Sequence, residues 1–343
     1  MTAIPGTVDE LTTHWLREVL GEHVQGSRLL DANSGTTGRA VLEVHGEDLP
    51  PRLFVKLPPT DEMQRLFVTT NGMGRKEVLF YSQLSGEVPV RVPHCYYSAT
   101  DEAGEQYIML LEHLEDSGCT FQNASSRYSL DYVRAMLNEF ARLHAAYWET
   151  PRFATDLDWV TPPARHDIAV DLVGKSLAEH AHSMPPVFRQ MGELFLANTD
   201  DFYRLWGEGA HTLVHGDAHD ANLFYDGRPG FLDWAIVSKA PGMRDVGYFL
   251  AGTLNDEHRS LARELVGEYR EALVGLGVSP PALEDLWQQC QWHAAYVWVG
   301  ATVTLAMGDA WQPVSYVMSS LERLHAALEE FGSLGAIQRS VQA

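Results

Sequence analysis

Apolar residues at Leu11, Trp15, Leu16, Val19 and Leu20 recur at helical spacing behind Thr7 and Glu10, which stand in capping-box register. This pattern predicts an amphipathic helix ending near Gly21. The period then shortens towards two. Strands are expected at 28–30, 40–44, 53–57, 95–98 and 106–111, with one helix inserted over 74–84, which makes a small antiparallel sheet. Beyond Glu115 strands largely stop, and helices are expected over 129–148, 187–205, 256–276, 283–307 and 316–331. The predicted class is α+β with two lobes, an N-terminal antiparallel sheet lobe over 1–112 and a larger, mainly helical lobe over 113–343. No internal repeat or low-complexity tract interrupts this order.

Composition narrows the partners. The chain has 343 residues, 45% of them hydrophobic, enough for a sizeable core. Its 25 Lys and Arg against 46 Asp and Glu give a formal charge of −21, which repels phosphate backbones and anionic lipid surfaces. Neither nucleic acid nor a membrane is an expected partner. Cys95, Cys119 and Cys290 are odd in number and form no CxxC pair, which fits a reducing cytoplasm. No export signal or spanning segment is expected.

The segment Leu213-Val-His-Gly-Asp-Ala-His-Asp-Ala-Asn222, continuing to Leu232-Asp-Trp234, holds the densest chemistry. Strand character on either side of Asp226-Gly227 predicts a hairpin, and a turn centred between Gly227 and Arg228 would set Asn222 opposite Asp233. One amide oxygen and one carboxylate suit a hard cation such as Mg2+. His215, Asp217 and Asn222 reproduce the H-x-D-x-x-x-x-N spacing of the protein-kinase catalytic loop. In that arrangement Asp217 orients or accepts the proton of the attacking hydroxyl, and Asn222 and Asp233 hold the metal.

These residues, with Ser34-Gly-Thr-Thr-Gly-Arg39, Phe54-Val-Lys56, Glu77-Val-Leu-Phe-Tyr81, Leu110-Leu-Glu-His-Leu114 and Leu143-His-Ala-Ala-Tyr-Trp148, resemble the aminoglycoside-phosphotransferase and choline-kinase-like enzymes. The resemblance runs from about residue 7 to about residue 330 and is nearest the branch containing ecdysteroid-kinase-like phosphotransferases. It implies a protein-kinase-like fold and ATP- and Mg2+-dependent phosphorylation of a small hydroxylated molecule. By the same resemblance Gly35, Thr36, Thr37 and Gly38 cover the nucleotide phosphates, and Lys56, paired with Glu77, contacts them. Glu112 and Leu114 belong to the adenine-facing hinge, and His215 and Asp245 support the catalytic loop. Trp234 stands where protein kinases carry Phe-Gly, and no A-P-E landmark follows, so a protein acceptor is not expected.

The acceptor is the least specified element. Chain acidity and the aromatic helix favour an amine-bearing alcohol, with Asp220, Trp292, Trp298 and Asp309 as candidate contacts through charge and cation–π attraction. Against this, aromatics at the spacing of Trp287, Trp292, Tyr296 and Trp298 ordinarily build a core. For His219 and Asp220, which could also touch substrate, local loop structure is the favoured reading. Two other functions stay open: a metal-dependent hydrolase using the His215–Asp220 cluster, and a non-catalytic nucleotide-binding pseudokinase.

Overall fold

The chain packs as two units in the computed structural model, which describes residues 2–34, 36–121, 128–309 and 311–342. The first comprises Met1–Phe121 with Leu223–Val237, the second Gln122–Asn222 with Ser238–Ala343.

In the first unit β1 (Val24–Ser34), β2 (Gly38–Gly46), β3 (Arg52–Leu57), β4 (Cys95–Thr100) and β5 (Tyr107–Glu112) form an antiparallel sheet in the order β1-β2-β3-β5-β4. The alternation of Ala40, Leu42 and Val44 puts these side chains on one buried face, where they join Leu53, Val55, Ile108 and Leu110. Trp15 and Leu16 of α1 (Thr13–Leu20) close that core. The predicted capping box forms only locally: Thr7 Oγ1 donates to Glu10 over a single 3-10 turn, and Thr12 caps α1 by accepting from Trp15 N–H. A helix not expected from sequence, α2 (Glu62–Thr70), starts at the Asp61 cap. It keeps Met63 and Leu66 exposed, so its apolar signal is weak.

Next come α3 (Met73–Leu79) and a π-helical turn, Phe80–Leu84. Gly74 lets α3 lie against β5, because a Cβ there would fall 2.2 Å from the Tyr107 ring. The predicted hairpin exists as Leu223–Tyr225 paired with Pro229–Phe231, but its register is Tyr225↔Pro229, centred on Gly227. That differs by one residue from the sequence expectation. Asn222 lies outside the ladder, in the 3-10 turn Asp220–Asn222. Gly227 takes φ 67°, and the Asp226 N–H to Arg228 C=O bond closes the turn there.

The second unit is helical: α4 (Leu130–Ala146), α5 (Ile168–His180), α6 (Pro186–Ala197), α7 (Thr199–Trp206), α8 (Met243–Thr253), α9 (Ala262–Gly275), α10 (Leu283–Met307), α11 (Val314–Phe331) and α12 (Ser333–Val341). The single helix expected over 187–205 is two, divided at Asn198. A two-stranded ladder, His211–Val214 with Ser238–Pro241, delivers the chain to the His215–Asn222 loop. Helix α10 buries side chains on all sides, from Leu286 to Ala306, which explains its weak periodicity. No helix among the described residues is long and apolar enough to cross a membrane.

Candidate active site

In the first unit the site is built around Lys56. Its β3 register, opposite Arg39 and Met109, turns the side chain inward. Its Nζ, on a side chain 4% exposed, lies 2.7 and 2.5 Å from the two Glu77 carboxylate oxygens and 2.9 Å from Asp233 Oδ1. Burial works against the Lys56 charge, but Asp233 and Glu77 outweigh it and hold the ammonium above its ordinary pKa. Burial likewise pushes Glu77 up to about 7, with Lys56 pulling against the shift and Asp233 adding to it. Two carboxylates thus share one buried ammonium.

The stretch carrying Asp233 is anchored by α3 and the turn after it. Trp234 stacks on Phe80 with ring centroids 3.9 Å apart, and its backbone also hydrogen-bonds Glu77. Three positions apart, Glu77 and Phe80 share one helix face. Asp233 itself adopts φ 63°, a left-handed conformation uncommon outside glycine, and Arg39 lies 3.7 Å from its second oxygen.

Of the expected phosphate-covering turn, Gly35 falls outside the described residues. Thr37 is 3% exposed, with its Oγ1 enclosed and unpartnered. Gly38 admits no side chain, because a Cβ would sit 2.7 Å from the Pro58 carbonyl. At the expected hinge the Glu112 carboxylate is held by Arg91, Ser117 Oγ and His94 N–H. The Leu114 carbonyl accepts from Ser117 and Cys119 N–H groups. Any base contact from Leu114 therefore falls to its own N–H.

In the second unit Asp245, fully buried, accepts from the N–H groups of His215 and Gly216 at 2.7 Å each and lies 3.2 Å from His144 Nε2. His144 Nδ1 in turn meets Tyr269 Oη at 2.8 Å. Burial opposes ionisation of Asp245, but His144 and the loop amides hold its pKa below the ordinary value. This network fixes the entry to the loop. Asp245→Ala is expected to cost about 3–5 kcal/mol, the range for breaking a buried charged network, measurable by urea unfolding.

Asp217 is anchored at both oxygens. Tyr248 Oη donates to Oδ1 at 3.0 Å, and Asn222 Nδ2 donates to Oδ2 at 3.2 Å and to the Asp217 carbonyl at 3.0 Å. With its NH2 end so engaged, Asn222 presents Oδ1 as its ligand atom. The buried His215 accepts from Asp217 N–H through Nδ1, a loop-shaping contact. Burial disfavours the Asp217 carboxylate, but His219, 3.6 Å away, together with His215 and Tyr248, keeps its pKa well below the usual range. Burial pulls His219 down, yet Asp217 and Asp220 raise it to about 10. A raised pKa contributes stability that is complete below the unfolded value, near 6.5, and is lost as pH climbs through about 10. His219→Gln should therefore flatten the decline of thermal stability over that window, as followed by calorimetry.

These residues open on a cavity of about 270 Å3 in the second unit, lined among others by Asp217, Asp220, Tyr248, Tyr296, Tyr316 and Arg323. Tyr316 Oη donates to Asp220 at 3.1 Å. The other three residues expected to contact the acceptor do not line this cavity. Trp298 is fully buried against Phe188, and Trp292 is 4% exposed, so both are core. Asp309 is exposed and accepts from Val314 N–H at the start of α11. Tyrosines take the wall instead. Tyr248 could have been found in the sequence: it stands three residues after Asp245, on the same helix face. Among the described residues no three His, Cys, Asp or Glu side chains gather as a metal cluster, so the hydrolase reading finds no ligand set in the His215–Asp220 segment.

A profile of the phosphotransferase enzyme family matches residues 30–286. The chain belongs to the phosphotransferase enzyme family. No curated protein matches this phosphotransferase significantly. Solved structures share its fold at low identity. Aminoglycoside 2'-phosphotransferase-IIIa, solved as a GDP complex, is 12% identical with a TM-score of 0.56, covering 93% of this chain and 99% of that one. Choline kinase from Cryptosporidium parvum is 9% identical with a TM-score of 0.55, covering 96% of each. Macrolide 2'-phosphotransferase from Brachybacterium faecium is 17% identical with a TM-score of 0.51, covering 94% and 98%. The phosphotransferase thus has the protein-kinase-like arrangement of an N-terminal antiparallel sheet and a mostly helical C-terminal part.

Proposed function

We propose that this phosphotransferase moves the terminal phosphoryl group of ATP, with Mg2+, to a hydroxyl of a compact small molecule. The observation that carries this reading is Asp217, an ionised carboxylate held by Tyr248 and Asn222 at the wall of a cavity. Its low pKa suits orienting the acceptor hydroxyl more than removing its proton early, in keeping with a loose phosphoryl-transfer transition state. We assign nucleotide binding to the sheet-bearing region and acceptor binding to the helical one. Lys56 serves the phosphates, with Glu77 holding its ammonium in place. Thr36, Thr37 and Gly38 cover the phosphates, and backbone groups of Glu112 and Leu114 receive the base.

Asn222 and Asp233 fit Mg2+ because both offer hard oxygens, and Mg2+ takes few protein ligands beside phosphate and water. Asp233 is held in place by the Lys56 ammonium at 2.9 Å, with Arg39 3.7 Å from its other oxygen. When bound, the ion would neutralise charge on the transferring phosphoryl group.

The relative solved with GDP supports nucleotide use, and the names of other relatives, choline kinase and macrolide 2'-phosphotransferase, support a small hydroxylated acceptor. The cavity stands at the small end of ligand pockets, which favours a compact acceptor over a whole antibiotic. An amine-bearing alcohol would meet Asp220 there, but that carboxylate already accepts from Tyr316 and faces His219. The test is Mg2+-dependent ADP release from ATP, with GTP in parallel, across amino alcohols, aminoglycosides, sugars, steroids and hydroxy acids. Stimulation by one acceptor class, lost in Asp217→Ala, is the expected result. Nucleotide binding without turnover on any acceptor would favour the pseudokinase reading.

A further inference from the structure

The cavity that contains Asp217 has a hydrocarbon wall as well as a polar one. Helix α10 lines it with Tyr296, Val297, Gly300, Ala301 and Thr304, positions that fall on one helix face. From α11 come Val317 and Leu324, seven residues apart and so also on one face. Val297, Ala301, Val317 and Leu324 present carbon to the cavity, and such a wall favours an apolar ligand surface over water.

Two glycines leave this space open. Gly252 in the last turn of α8 and Gly300 within α10 both line the cavity, and at neither would a Cβ meet a packing neighbour within 4 Å. Neither takes a positive φ, so the backbone does not require glycine there. Nor does helix propensity, which ranks glycine well below alanine or leucine. Gly247 shows the contrast: it brings α8 and α10 together, since a Cβ there would fall 2.9 Å from His293 Cβ. At Gly252 and Gly300 a side chain would take up cavity volume instead.

The charged groups of the wall are engaged within the fold. Asp217 accepts from Tyr248 and Asn222, and Asp220 accepts from Tyr316 and the Ala221 N–H. His219 lies 3.6 Å from Asp217 and 3.8 Å from Asp220. Arg323 donates from Nε to the Gly252 carbonyl at the end of α8, and from its Nη groups to the Ser319 and Ser320 hydroxyls. A charged acceptor body would have to compete for these bonds, whereas an uncharged one leaves them intact.

We propose that the acceptor is an uncharged alcohol with a compact hydrocarbon body, and that Gly252 and Gly300 set how large that body is. As a statement about the acceptor this rests on the phosphotransferase reading above; as a statement about a binding site it does not, and the experiment separates the two. Thermal shift of the full chain and Mg2+-dependent ADP release are measured with propanol through decanol, cyclohexylmethanol and benzyl alcohol. Each is set beside its counterpart carrying an amine or a carboxylate at the far end. At least one neutral alcohol is expected to raise Tm and to exceed both charged counterparts in kcat/KM by roughly 10- to 100-fold. Gly300→Leu and Gly252→Leu should lower the ratio of kcat/KM for the largest accepted alcohol to that for the smallest by roughly 10- to 100-fold. A merely structural effect would lower both members of that ratio alike. If a leucine variant does not fold, Gly300→Ala and Gly252→Ala give the same shift in ratio at smaller size.

A preference for the amine or carboxylate series, or a size ratio unchanged in both glycine variants, overturns the proposal and leaves phosphotransfer standing wherever ADP is released. Neither a Tm shift nor ADP release with any neutral alcohol also overturns it. Binding of neutral alcohols that depends on the two glycines, without ADP release, supports the site and counts against the phosphotransfer reading alone.

Discussion

Asp217→Asn is expected to lower kcat by roughly 100- to 10,000-fold, the range assigned to a positioned acid–base group. Nucleotide affinity should stay within about threefold, because the side-chain contacts of Asp217 are to Tyr248, Asn222 and His219 of the catalytic loop and α8. The amide is nearly isosteric but carries no charge to orient the acceptor hydroxyl. It also faces the Asn222 NH2 group with a donor of its own in one of its two orientations. Single-turnover ADP release with saturating acceptor, beside equilibrium nucleotide binding, separates the two quantities. A kcat within a few fold of wild type would remove Asp217 from the reaction.

Asp233→Asn should act on the nucleotide. Losing one hard anionic ligand is expected to weaken Mg2+-dependent nucleotide affinity by about 10- to 100-fold, at least as much as losing a residue that merely orients a metal ligand. The same change leaves Lys56 with one carboxylate, so Glu77 loses a repulsive neighbour and its pKa should fall from about 7. The affinity loss should therefore be confined to titrations containing Mg2+, with affinity in EDTA changing little or rising. Calorimetric nucleotide titration with and without Mg2+ reads this directly. Equal losses in both conditions would mean that Asp233 shapes the pocket and holds no metal.

The two substitutions probe residues that sequence spacing brings out with unequal clarity. Asp217 and Asn222 are five residues apart in one loop, and such a short separation leaves few geometries, so their contact was foreseeable. Asp233 depends on a hairpin, where a shift of one residue in the turn centre changes every partner. The turn centres on Gly227, and Asn222 leaves the ladder for a 3-10 turn. Lys56 needed a counter-charge once its strand was buried, and Glu77 supplies it across 21 residues of sequence. That Asp233 joins the same ammonium was not legible, because the pairing depends on Trp234 stacking against Phe80.

The aromatic helix shows the opposite case. Trp292 and Trp298 have the same local signal as Tyr296, yet only Tyr296 reaches the cavity. Helix α10 is apolar on all sides, so no hydrophobic stripe marks which face meets solvent. Asp309 offered a charge of the right sign, but its carboxylate caps the turn before α11.

By itself the sequence determined the α+β class, the five-strand antiparallel sheet ahead of the helices, and the family. Period, turn residues and loop spacing are local properties, and each element needs only its own residues to form. Tertiary structure alone decided which aromatics are wall and which are core, how the hairpin pairs, and that the Arg244 guanidinium is buried over the ring of Tyr296. Those facts depend on which faces two helices bury against each other, and at Gly247 and His293 that choice is made by packing between residues 46 positions apart.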